Sequence, residues 1–173
     1  LKNNKNLGLT KSLNICIKQA LGDYIVRQDA DDISLPNRLK DFQEHELKNK
    51  IDFYSTSVIE GESLDEAKKI SPNIFLRNKV YIEKFKQFNF LTHGALIIRR
   101  EILYKIAYND SYRYSQDYEL YLNLINNGYK LCFNNKVSYF LRTHKNQVSL
   151  INKKEQENSF ISIREKYNLK IYN

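Results

Sequence analysis

Apolar residues recur at helical spacing between Thr10 and Leu21, where Leu13, Cys16, Ile17 and Ala20 share one face. The stretch predicts a helix with Thr10 as its N-cap and Gly22 as its stop. Asp23 to Gln28 then reads as a short strand, and Pro36 opens a second helix with Leu39, Phe42, Glu46 and Leu47 marking its inner side imperfectly. Asp52 to Ile59 alternates β-branched and aromatic residues and predicts a strand. Residues 60–75 are polar, carry Gly61, Ser63, Ser71 and Pro72, and predict a loop able to act as a lid.

In the second half, a helix is predicted over Asn78 to Phe88, a compact apolar strand over Gly94 to Arg99, and a helix from Arg100 to about Ala107. Ser115 is placed to cap a helix whose apolar face is Tyr118, Tyr121, Leu122 and Ile125, with Asn127-Gly128 as the stop. Tyr129 to Leu141 predicts a strand pair, or one long strand broken at Asn134-Asn135. A mostly polar helix over Glu155 to Tyr167 ends the pattern. Strands alternating with helices predict an α/β sandwich with a mainly parallel sheet. No internal repeat interrupts it.

Composition narrows the class. The 173 residues are 42% hydrophobic with 5 Gly and 2 Pro, which fits one globular domain. No apolar run approaches the ~20 residues of a membrane span, and no signal-peptide pattern is present. Cys16 and Cys132 lack metal-ligand spacing and read as two buried thiols in a reducing cytoplasm, with a disulfide as the lesser alternative. The chain holds no methionine and begins at Leu1, so an internal piece of a longer protein, or a processed one, is expected. Its net charge of +8, from 28 basic and 20 acidic residues, favours acidic partners. No zinc-finger spacing or RNP-type aromatic motif accompanies that charge, and nucleic acid is not expected as a partner.

The chemistry concentrates in Asp29-Ala30-Asp31-Asp32, just beyond the apolar run Tyr24-Ile25-Val26. Three carboxylates in four residues repel one another unless a cation or strong donors neutralise them. At a strand end they make an oxygen-ligand site for Mg²⁺ or Mn²⁺, or an acidic loop capping the next helix. Two other segments sit where an open α/β sheet gathers ligands: Gln116-Asp117 at a helix start and Arg142-Thr143-His144 after a strand. Asp117 also has an ordinary reading, as a carboxylate favoured by the helix dipole. His93, before Gly94, either lines a pocket or satisfies a backbone group. A calcium loop is excluded by spacing, because Ser34 stands where the glycine is required.

The wording of these segments resembles a known family. Asn6-Leu7-Gly8-Leu9, Ala20-Leu21-Gly22-Asp23-Tyr24-Ile25, Asp29-Ala30-Asp31-Asp32 and Pro36-Asn37-Arg38-Leu39 resemble the middle of family 2 glycosyltransferases. His93-Gly94-Ala95-Leu96-Ile97-Ile98-Arg99-Arg100, Gln116-Asp117-Tyr118-Glu119-Leu120-Tyr121-Leu122 and Leu141-Arg142-Thr143-His144 resemble that family's acceptor-side half. The resemblance runs in order from about Asn6 to Ser149.

It implies a GT-A-like, Rossmann-like α/β/α sandwich, and inverting transfer of a sugar from a nucleotide-diphosphate donor, most readily a UDP-sugar, to a glycan or lipid-linked acceptor. By the same resemblance Asp29-Ala30-Asp31 is the DxD motif. Asp31 then binds Mg²⁺ or Mn²⁺ on the diphosphate, Asp29 contacts ribose or sugar, and Asp32 holds the loop. Arg38 and Arg142 fall on the donor side, and His144 completes the metal or diphosphate shell. Asp117 is the catalytic base, with Gln116 in place of the family's usual Glu, and His93 and Gly94 lie near the acceptor. The family's first nucleotide-binding strands precede the matched region. Residues 1–150 are therefore read as a catalytic-domain fragment, expected to bind donor poorly or not at all alone, and 151–173 as a helical tail. The expected setting is bacterial surface polysaccharide synthesis, in the cytoplasm or peripherally on the inner face of the membrane. The alternatives are a non-catalytic glycan- or partner-binding module and a DxD phosphatase with Asp29 as nucleophile.

Overall fold

The computed structural model describes residues 1–67, 85 and 88–169. Helix α1 (Leu9–Gln19) leads into β1 (Tyr24–Val26), the acidic loop, β2 (Ile33–Ser34) and α2 (Arg38–Glu46). Strand β3 (Phe53–Gly61) and the short α3 (Leu64–Ala67) follow. After a 3-10 turn at His93–Ala95 come β4 (Ile97–Arg99), α4 (Arg100–Ile106), α5 (Gln116–Asn126), β5 (Leu131–Arg142), α6 (Val148–Ile151) and α7 (Lys153–Lys166). The helix expected over Asn78 to Phe88, apart from Phe85 and Phe88, and the expected loop beyond Ala67 lie outside the described residues.

The strands form one sheet in the order β1-β4-β3-β5-β2. It is mixed where a mainly parallel sheet was expected. β3 and β5 run parallel, from Phe53 opposite Leu131 to Gly61 opposite Arg142, and the pairs β1–β4, β3–β4 and β2–β5 are antiparallel. A parallel pair needs a long crossover. Among the described residues only β3 and β5 are such a pair, with α4 and α5 between them in the chain; β1, β2 and β4 are short strands laid against neighbours that run the other way.

Period-two alternation splits the core between the two faces of this sheet. Phe53 and Ile98 enter the larger cluster, with Ile17 of α1, Leu103 of α4, Tyr118, Tyr121 and Leu124 of α5, and Ile163 of α7. Their strand neighbours Tyr54 and Ile97 point the other way, onto Phe42 of α2 and Ile51. This gives the helix–sheet–helix layering expected from the sequence.

Several local expectations give way to tertiary contacts. α1 starts at Leu9 after Gly8, whose φ of +80° suits glycine. Thr10 caps nothing and donates its hydroxyl to the Tyr112 carbonyl at 3.2 Å. Ser115 likewise makes no side-chain cap; its hydroxyl donates to the Gln156 carbonyl at 3.2 Å. The strand expected from Gly94 begins only at Ile97, because the Gly94 carbonyl accepts from buried Arg38 instead of a neighbouring strand. β5 is one continuous strand. Its break is a bulge, where Thr56 faces Asn134 and the next residue, Ser57, faces Val137.

The polar last helix is docked on α5. Phe160 stacks on Tyr118 with ring centroids 4.5 Å apart, Ile163 is fully buried, and Lys166 Nζ pairs with the buried Glu119 carboxylate at 2.6 Å.

Candidate active site

Two strands deliver the acidic loop. β1 ends at Val26 and releases Asp29 to Asp32, and β5 ends at Arg142 directly beside them. Each carboxylate in the loop has its own partner, which is how three of them coexist. Arg27 Nη2 donates to Asp29 Oδ1 at 2.5 Å. His144 Nε2 lies 3.0 Å from Asp31 Oδ2. Asp32 is taken on both oxygens: the Arg142 amide donates to Oδ1 at 2.9 Å and the Tyr139 hydroxyl to Oδ2 at 2.8 Å. Arg142 closes the arrangement by donating Nε to the Asp31 carbonyl at 2.9 Å.

The environments separate these acids. The hydrogen bond from His144 holds Asp31 below the usual carboxylate range. Burial pushes Asp32 up, against the pull of its Arg142 and Tyr139 donors. Asp31 and His144 are both partly exposed, at 49% and 38% of their side-chain surface, whereas Asp32 is spent inside the protein. Among the described residues no three His, Cys, Asp or Glu side chains gather into a metal cage. The donor set is instead one carboxylate and one imidazole in contact. That fits a cation which takes its remaining ligands from water and a phosphate-bearing substrate.

Arg38, expected on the donor side, is buried beneath the acidic loop. It is 1% exposed, and its guanidinium donates to the carbonyls of Arg27 at 2.7 Å and Gly94 at 2.9 Å and to the Ser34 hydroxyl at 2.7 Å. It also sits 4.7 Å from the centroid of the Tyr139 ring. A planar fork with five donors suits such a cluster of acceptors. Arg38 forms the floor of the site and ties β1, β2 and the His93 turn together.

That turn faces the acidic loop at close quarters. A Cβ on Gly94 would stand 2.0 Å from the Tyr139 hydroxyl and 2.9 Å from Asp29 Oδ2, so only glycine fits. His93 Nε2 bonds the Tyr108 hydroxyl at 2.7 Å. Burial, reinforced by the Arg27 charge, pushes the His93 imidazole down to about 3, leaving it neutral at physiological pH. Asn14 fixes Tyr108 from both sides, accepting from its amide at 2.9 Å and donating to its carbonyl at 2.8 Å.

Asp117 stands in the first turn of α5 after buried Gln116. Its Oδ2 accepts from Asn89 Nδ2 at 2.8 Å. Burial raises its affinity for a proton, and the Asp29 charge adds to the effect, so the acidic loop and the start of α5 share one electrostatic environment. The structure thus brings together Asp29, Asp31, Asp32, Arg142 and His144 as one cluster, with Gly94 against it. Arg27, Asn89, Tyr108 and Tyr139 join them without having been singled out from the sequence. The signal for Arg27 is a basic residue two positions before Asp29, a charge partner in waiting.

Comparison with known proteins gives the family and the fold. The sequence model of glycosyl transferase family 2 matches residues 1–107. An uncharacterized glycosyltransferase of Methanocaldococcus jannaschii is 33% identical over 132 residues, covering 75% of this chain and 45% of that protein. The UDP-Gal:alpha-D-GlcNAc-diphosphoundecaprenol beta-1,3-galactosyltransferase of Escherichia coli is 32% identical over 128 residues, covering 72% of this chain and 45% of its own length. The crystal structure of S. aureus TarS 1-349 in complex with UDP-GlcNAc superposes with a TM-score of 0.59 at 15% identity, over 85% of this chain and 42% of TarS 1-349. The chain spans about half the length of the curated relatives it matches.

Proposed function

The chain belongs to glycosyl transferase family 2, and from that premise we propose that it carries the reaction centre of a sugar transfer from a nucleotide-diphosphate donor, with inversion, to a glycan or lipid-linked acceptor. The observation that carries the reading is a pair of carboxylates driven in opposite directions. Asp31 is kept ionised by His144, and Asp117 is pushed towards its protonated form by burial. Such divergence separates the group that holds charge from the group that takes a proton.

In this reading Asp117 accepts the proton of the acceptor hydroxyl, and its raised proton affinity brings it closer to the range where a general base works well. Asn89 orients the carboxylate, and neutral His93 lines the acceptor side without adding a competing cation. Asp31 and His144 would hold Mg²⁺ or Mn²⁺, which when bound supplies charge neutralisation for the departing diphosphate. Asp29, fixed by Arg27, faces the donor's sugar or ribose.

A UDP-sugar donor is favoured by two relatives, the E. coli galactosyltransferase whose name gives UDP-Gal and the TarS complex with UDP-GlcNAc. The same E. coli name gives a diphosphoundecaprenol acceptor, which supports a lipid-linked acceptor; with that acceptor we place the reaction in bacterial polysaccharide synthesis, in the cytoplasm at the inner membrane face. No helix among the described residues is long and apolar enough to cross a membrane.

The test is transfer from UDP-galactose and UDP-GlcNAc to a diphosphate-linked lipid acceptor, with the anomeric configuration of the product read by NMR. Inverted product lost in Asp117→Asn supports the reading. Retained configuration, or full activity in that variant, would sink it.

A further inference from the structure

Tyr139 is fully buried on β5, yet its hydroxyl reaches the acidic loop and works there in both directions. It accepts the Asp29 amide proton at 3.2 Å and donates its own to Asp32 Oδ2 at 2.8 Å. Two positions of the loop, three residues apart in sequence, are thus tied to one atom. The ring is fixed in turn by the Arg38 guanidinium 4.7 Å from its centroid, and on the hydroxyl side the missing Cβ of Gly94 leaves the space it occupies. The next tie lies on the same strand, where the Arg142 amide holds the other Asp32 oxygen.

These contacts have a direction. They consume Asp32 and the Asp29 backbone, and leave the outer carboxylates of Asp29 and Asp31 paired with the side chains of Arg27 and His144. A loop of three acids left to itself would spread to relieve repulsion. We propose that Tyr139 is a positioning residue of the transfer site: its hydroxyl sets the shape of the acidic loop so that Asp29 and Asp31 face a diphosphate-bearing ligand, and it registers that loop against the His93–Ala95 turn. The ligand assignment rests on the glycosyltransferase reading above; the control of loop shape does not.

Phenylalanine keeps the ring, its packing and the contact with Arg38, and removes only the bridging oxygen. The experiment compares the wild-type chain with Tyr139→Phe in two readouts. The first is NMR amide hydrogen exchange at Asp29 and Arg142, referred to Ser55 and Phe133 in the β3–β5 ladder. The second is Mn²⁺ affinity from water-proton relaxation. Exchange at Asp29 and Arg142 should quicken about tenfold, the equivalent of one lost hydrogen bond, while the ladder amides stay unchanged. Mn²⁺ affinity should fall about 10- to 100-fold, as when a group supporting a metal ligand is removed. Unchanged exchange at Asp29 and Arg142 would overturn the proposal, and so would equal acceleration in the ladder, which would make Tyr139 a packing residue only. Failure of the wild type to bind Mn²⁺, with the exchange difference present, supports the role of Tyr139 and counts against the metal reading.

Discussion

Gly94 and Tyr139 approach so closely that a methyl group on Gly94 would lie 2.0 Å from the Tyr139 hydroxyl. This contact joins the two halves of the site, because the same hydroxyl holds Asp29 and Asp32 while Gly94 follows His93. Gly94→Ala should therefore destabilise the protein by about 1–3 kcal/mol through overpacking. Tyr139→Phe should relieve only part of that cost, since the ring carbon Cζ would still lie 2.7 Å away. Urea denaturation of the two single variants and the double variant measures the coupling, and strictly additive changes would contradict the contact.

Arg38 separates a donor contact from a structural one. Arg38→Lys keeps the charge, but replaces two separated nitrogens, Nη1 on the Ser34 hydroxyl and Nη2 on the carbonyls of Arg27 and Gly94, with a single point donor on a shorter stem. A loss of about 2–3 kcal/mol is expected from buried acceptors left unpaired. An unchanged urea midpoint would mean that Arg38 is not the floor of the site.

His93 gives the fold a dependence on pH with a defined sign. Its folded-state value is pushed down to about 3 from the ordinary 6.5, so as pH falls the unfolded chain takes up the proton first. The contribution is complete above about pH 6.5 and drains away towards pH 3, with a slope of at most about 1.4 kcal/mol per pH unit. Arg27, the charged group that acts on it, stays the same in His93→Gln, which should flatten that part of the stability curve. Parallel curves for the two proteins, from denaturation at a series of pH values, would contradict it.

How far the site could be read in advance depended on the kind of signal each residue leaves. Asp29, Asp31, Asp117 and His144 stand at element ends in the order of a known pattern, and their types already limit their chemistry. Tyr139 left no such mark, because it sits in the β5 alternation as one more apolar position and its role comes from a hydroxyl meeting a distant loop. Arg38 was misplaced for the converse reason: it belongs to a matching segment, but its side chain turns inward to carbonyls that only the folded chain assembles. Thr10 and Ser115 looked like helix caps by type and position, and long-range acceptors at Tyr112 and Gln156 claimed both hydroxyls. Helix and strand types followed local periodicity closely, whereas strand direction did not, since nothing within β1 or β4 records which neighbour it will meet.

The central claim is a division of labour between Asp31 and Asp117, and calorimetric titration of UDP with and without Mn²⁺ tests it most directly. The wild-type protein should bind UDP more tightly with Mn²⁺ present. Asp31→Asn should lose that metal-dependent increment, and Asp117→Asn should keep it. Metal-dependent binding that survives in Asp31→Asn, or that disappears in Asp117→Asn, would contradict the assignment of the diphosphate to the acidic loop.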